Sequence, residues 1–313
     1  MSERTGPRGG REPARNAIRS AIDWGELAPL RMRARQVAEG VYAGVHRSAL
    51  RGAGVEFGGY REYVPGDDLR WLDRRSLLRH DRLVVRQFET ETDRTLTLLV
   101  DASASMGYRG AGAPGAKIAF ASLLAAALAR VALAGGEPVG LGFLAGGEGT
   151  TPIARGSGRD QFERIVSSLE QVVPGGDVHD DRAGLDEAVH AIVRTSRRGS
   201  IVIVLSDLLD LPEGAAERIA ELSPSGRVLV VVQTLDPAEA DFPFTGTVRL
   251  RALEGGAVVE TDAGTARERY LAALEALTDR WRQAVVKRGG RFVRATSADP
   301  PVQVVREIVR AVR

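Results

Sequence analysis

The 313-residue chain contains no cysteine, which excludes disulfide frameworks, thiolate metal sites, cysteine nucleophiles and iron–sulfur clusters. Histidine is nearly as scarce. His46, His80, His179 and His190 are the four present, and none of them stands at HExxH or paired spacing, which argues against a zinc enzyme. Aromatic residues make up only 5% of the chain, too few for a base-stacking platform. Net charge is almost absent: 43 Lys+Arg against 41 Asp+Glu leave +2, so no global field attracts nucleic acid. No GxxxxGK[ST] occurs, and the chain is not itself a P-loop ATPase.

What is present is enough apolar residue for a full core. A hydrophobic fraction of 43% with 27% charged residues is that of a folded globular protein and excludes disorder over most of the length. The basic opening MSERTGPRGGREPARN lacks the apolar stretch of a secretory signal and reads as a disordered tail over residues 1–20. Ile118 to Ala134 is long enough to be mistaken for a membrane span. It is dominated by alanine and carries Arg130, so it is expected as a buried helix on a sheet, and the chain as cytoplasmic.

From residue 94 onward strands and helices alternate. Arg94–Ala102, Ser200–Ser206 and Arg227–Gln233 are continuous apolar runs of the kind that parallel sheets bury on both faces. Pro138–Ala145 and Arg291–Ala295 read as further strands, Thr150–Ala154 as a short one paired across a glycine turn. Helices are expected from Lys117, over Asp160–Val172, Leu185–Val193, Thr265–Lys287 and Val302–Val312, and another capped by Asp210 with Pro212 in its first turn. Thr247–Thr261 reads as a polar hairpin. The expected fold is α/β: an open, mainly parallel, Rossmann-like sheet with helices on both faces over residues 94–313, preceded by a smaller β-rich region over 21–93. Within that region Arg31–Ala43 is helix-like and Arg82–Glu89 extended.

In open α/β sheets ligands collect at the carboxyl ends of the strands. Four residues there draw attention. Asp101, Ser103 and Ser105 alternate in Asp-Ala-Ser-Ala-Ser just after the first apolar strand, and Asp207 ends a later one. Their oxygens are hard ligands suited to Mg2+, with Mn2+ or Ca2+ as alternatives. Asp and Ser after a strand are also common turn and capping residues, and DxSxS alone does not decide between the two.

The D-x-S-x-S run with Asp207 resembles the metal-ion-dependent adhesion site of von Willebrand factor type A domains. Upstream, Arg61-Glu62-Tyr63-Val64-Pro65-Gly66-Asp67-Asp68-Leu69-Arg70 and Leu83 to Glu91 resemble the signature of the DUF58 family, a likeness running from about residue 36 to the C-terminus. The resemblance implies a von Willebrand A-like domain and a non-enzymatic, metal-dependent adaptor. It also implies a MoxR-type AAA+ ATPase and a client protein as partners, in assembly or remodelling of complexes. The adhesion-site loop threonine is missing, since no Thr occurs between Pro152 and Arg194. Asp177 lies where that Thr is expected; it either ligates the metal directly or belongs to a solvated loop beside a site that binds metal poorly. Tyr63, Pro65, Gly66, Asp67, Asp68 and Arg70 are either a locked turn or a docking surface for the ATPase. The alternatives are a hydrolase or phosphotransferase using Asp101 as nucleophile, a nucleic-acid-binding module supported only by local arginine, and a scaffold without metal.

Overall fold

The computed structural model describes residues 22–44, 56–62, 84–89, 94–146, 150–176, 182–196, 198–209, 211–223, 226–251 and 258–312. Ten strands and eight α-helices are named here in chain order. The central sheet is built from β3 (Leu96–Asp101), β4 (Val139–Leu144), β5 (Ile153–Gly156), β6 (Ile201–Ser206), β7 (Val228–Leu235) and β10 (Arg291–Thr296), in the spatial order β10-β7-β6-β3-β4-β5. All neighbours are parallel except β5, which pairs antiparallel with β4 at one edge. The expected α/β class and mainly parallel sheet are therefore present. β6 is buried at every position and β7 at all but its first, as strands covered on both faces must be.

One face carries α1 (Leu30–Gly44), α2 (Lys117–Ala134), α3 (Arg159–Gln171) and α8 (Pro301–Ala311); the other carries α4 (Arg182–Thr195), α5 (Ala215–Ala220) and α7 (Ala263–Lys287). The Ala-rich α2 is the centre of the first layer. It is apolar all round and buried from Lys117 to Ala129, the pattern of an internal helix. By length and composition it is apolar enough to cross a membrane; here 78% of it is buried inside the protein. Its Arg130 lies over the Phe162 ring, 5.6 Å from guanidinium carbon to centroid. Helix α1 lays Leu30, Ala34, Val37, Ala38 and Val41 onto this layer, and Tyr42 donates to the Val131 carbonyl at 3.0 Å. Residues 22–44 thus share a core with the sheet domain, while β1 (Glu56–Glu62) and β2 (Val84–Glu89) pair antiparallel with each other.

One sequence expectation is corrected, and one helix is new. Asp210, itself outside the described residues, does not cap the next helix: α5 starts at Ala215, behind a left-handed Gly214 at φ +83°. The Ala215 N–H bonds back to the Pro212 carbonyl, so Pro212–Gly214 forms a turn instead of a first helical turn. The short helix α6 (Pro237–Asp241) has no counterpart in the sequence reading, although Asp236 and Glu239 form a complete capping box around it. The polar hairpin is present as β8 (Thr247–Arg251) with β9 (Val258–Asp262), a separate two-stranded sheet. Asp262, closing β9, accepts from the Thr265 N–H at 3.0 Å and so caps the 25-residue α7. Asp262→Ala is expected to lower the unfolding free energy by about 0.5–2 kcal/mol, read from the urea midpoint.

Candidate metal centre

The strand order reverses between β3 and β6. The chain leaves β3 for α2 on one face and β6 for α5 on the other, which opens a crevice at the carboxyl ends of these two neighbours. Asp101 ends β3 and Ser206-Asp207 ends β6, so the crevice floor is set by strand pairing, with Val100 opposite Leu205.

The Asp-Ala-Ser-Ala-Ser turn folds on its own carboxylate. Asp101 Oδ1 accepts the Ser103 N–H at 2.9 Å, and Oδ2 accepts the Ser206 hydroxyl at 2.5 Å. Ser103 Oγ and Ser105 Oγ come within 3.1 Å of each other, and all three residues are buried. A second strap comes from the loop after α3: Gly175 N–H donates to the Ala102 carbonyl at 2.9 Å and Ala104 N–H to the Gly176 carbonyl at 3.4 Å. Asp177, the next residue, lies outside the described residues, as do Tyr63, Pro65, Gly66, Asp67, Asp68 and Arg70.

Across the crevice the turn after β6 is strained. Leu208, a buried non-glycine, sits at φ +62°, and its N–H is held by Ser206 Oγ at 2.9 Å. Asp207 Oδ1 accepts the Leu209 N–H at 3.0 Å, and Oδ2 accepts Lys117 Nζ at 2.7 Å. Lys117 heads α2 and is completely buried; its ammonium also donates to Glu239 Oε1 at 2.6 Å. Glu239 Oε2 accepts the Asp236 N–H at 2.9 Å, and Asp236 Oδ2 accepts the Gly110 N–H at 2.8 Å, which ties the loop after β7 to the glycine-rich loop after β3. Gly110 is required by this approach: a Cβ there would meet Asp236 Oδ1 at 2.4 Å.

The cluster is short of positive charge. Asp101, Asp207, Asp236 and Glu239 gather around the crevice with one buried ammonium among the described residues, and it pairs with Asp207 and Glu239. Burial, and next the neighbouring Asp207 charge, push the Asp101 carboxyl up to about 7, against the opposing hydrogen bonds from Ser206 and Ser103. Burial likewise raises Glu239, opposed by Lys117. For Lys117 burial acts downward, but the two carboxylates outweigh it and raise the ammonium's pKa, so it stays charged.

No group of three or more His, Asp or Glu side chains that could hold a metal occurs among the described residues. The donor set in the crevice is of another kind, one carboxylate with two hydroxyls. The two hydroxyls have the spacing of ligands on a small hard cation. Cis ligands of an octahedral Mg2+, each about 2.0–2.1 Å from the ion, stand roughly 2.9 Å apart, close to the 3.1 Å between the two serine oxygens. Lys117, Glu239, Asp236 and Ser206 were not among the site residues expected from the sequence. Two signals pointed to the first three: a lysine opening a helix whose one other charge is Arg130, and Asp-Pro-Ala-Glu directly after an apolar strand.

Comparison with known proteins adds the lineage. The chain is 30% identical over 250 residues to an uncharacterized protein of Mycobacterium tuberculosis, covering 78% of this chain and 76% of that one. An uncharacterized protein of Mycobacterium bovis matches equally. Among solved structures, the conserved hypothetical protein BatB from Bacteroides thetaiotaomicron aligns with a TM-score of 0.44 and 17% identity over 70% of this chain and 98% of that chain, a likeness too weak to carry an argument. The family described as "Protein of unknown function DUF58" matches residues 59–280, and with that span and those relatives the chain belongs to the DUF58 family.

Proposed function

We propose that this protein is a non-enzymatic, cytoplasmic adaptor with a von Willebrand A-like sheet domain, whose strand-end crevice binds Mg2+ and, through it, an acidic group of a protein partner. The observation that carries the reading is the pair of serine hydroxyls 3.1 Å apart beside a buried carboxyl whose pKa is raised by burial and then by the neighbouring Asp207 charge. Asp101, Ser103 and Ser105 are the residues that would hold the ion. Asp207 would act from the far wall, through water or directly. Once bound, Mg2+ would offer a remaining coordination position to a partner carboxylate. The chain's own contribution is rigidity. Ser206 and the Ser103 N–H fix the Asp101 carboxylate, and Gly175 and Gly176 clamp the turn, so little order has to be acquired on binding.

The partner proposed from the family likeness is a MoxR-type AAA+ ATPase, acting with this adaptor on a client protein. The test uses a purified MoxR-type ATPase from the same organism. A complex is expected in Mg2+, lost in chelator and lost with Asp101→Ala, while circular dichroism of the variant is unchanged. Equal affinity with and without chelator would contradict the metal-mediated contact. Turnover of a generic phosphate ester that disappears in Asp101→Asn would instead favour the hydrolase reading.

A further inference from the structure

We propose that Lys117 is a built-in competitor for the cation site, its ammonium holding the Asp207 oxygen that a bound metal would draw on and so setting how tightly the site binds. The inference rests on the metal reading above and deepens it. Both Asp207 oxygens are engaged, Oδ2 by Lys117 Nζ at 2.7 Å and Oδ1 by the Leu209 N–H at 3.0 Å. While that pairing lasts, neither Asp207 oxygen is free to turn to a metal. The ammonium itself repels an approaching dication.

The position of Lys117 is costly on ordinary grounds. It is fully buried, and it sits in the first turn of α2, where the helix dipole disfavours a cation. Two carboxylates hold it there, and they are unequal. Asp207 is buried on the crevice, whereas Glu239 retains 17% side-chain exposure and is anchored separately through the Asp236 N–H. This gives the ammonium an alternative. When Asp207 turns to a cation, Lys117 keeps a partner in Glu239 and is not left as an unpaired buried charge. The bridge Asp207–Lys117–Glu239 therefore makes the exchange reversible, and Glu239 is the residue that permits it.

Two variants separate this from a simple charge effect. Lys117→Met with Glu239→Gln removes one charge of each sign, so the net charge around the crevice is unchanged while Asp207 Oδ2 is released. Glu239→Gln alone leaves Asp207 as the one carboxylate pairing the ammonium and tightens their grip. By titration calorimetry with Mn2+ as probe, the double variant is expected to bind about tenfold more tightly than wild type. Glu239→Gln is expected to bind about threefold or more weakly. Adding Asp101→Asn should abolish binding in every background.

A double variant no tighter than wild type overturns the role of Lys117 and leaves the metal site standing. Should the double variant fail to unfold cooperatively, Glu239→Gln decides, and equal or tighter binding by it overturns the proposal. Silence from wild type with binding by the double variant supports a competitor strong enough to close the site. Silence from both removes the metal reading and this one together.

Discussion

Asp101→Asn is expected to weaken Mn2+ or Mg2+ binding by about 100-fold or more, and at the same time to stabilise the metal-free protein above neutral pH. The two effects share one cause. A carboxylate at 1% exposure has exchanged water for two hydrogen bonds, and it stands beside Asp207 with no cation of its own. Its pKa rises from 3.8 to about 7, chiefly by burial and then by the Asp207 charge. A raised folded-state value means that the native chain holds a proton the unfolded chain has released. This contribution is complete below about pH 4 and is lost as pH climbs through about 7.

In chelator, the wild type should therefore lose stability between pH 5 and pH 8, by an amount on the order of a few kcal/mol. Asp101→Asn should lack that part of the slope. Urea unfolding at the two pH values, with and without Mg2+, measures it, and Mg2+ should restore the wild type at pH 8 while leaving the variant unchanged. Parallel slopes for the two proteins would show that Asp101 is not the group under strain.

Lys117→Met should be the most damaging single substitution at the crevice. It strips the ammonium from between Asp207 and Glu239 and leaves a buried and a half-buried carboxylate facing each other, a loss of about 3–5 kcal/mol. Adding Glu239→Gln should return part of that, because one of the stranded charges goes with it and the methionine fills the apolar stem's path along α2. The two unfolding free energies, measured at one pH in chelator, decide the matter. A cost below about 1 kcal/mol for Lys117→Met would mean that the ammonium is solvated and not bridging.

Much of the fold was legible without coordinates because it depends on local pattern. Val202, Ile203, Val204 and Leu205 are an unbroken apolar run, which suits a strand buried on both sides. Phe162, Ile165, Val166 and Leu169 recur at helical spacing, and all four are buried on α3. The start of α5 was misread because Asp210, Pro212 and Glu213 imitate a helix start, while the chain spends those residues on a turn ending at left-handed Gly214. α6 escaped because five residues are too few to show a period; its capping box was the available sign.

At the crevice, the order of residues along the chain determined that hydroxyls and carboxylates would stand at strand ends: Asp101 after Val100, Asp207 after Ser206. That follows from the apolar runs stopping where they do. Tertiary structure alone decided which of these groups meet. Ser206 reaches Asp101 across 105 positions of chain, and Lys117 reaches Asp207 across 90 and Glu239 across 122. No periodicity records such separations, because they are produced by the order in which parallel strands are laid side by side and by the short return of α2 over the sheet. The sequence shows a lysine opening an alanine-rich segment; that it balances Asp207 becomes evident only when burial leaves its charge no other place to go.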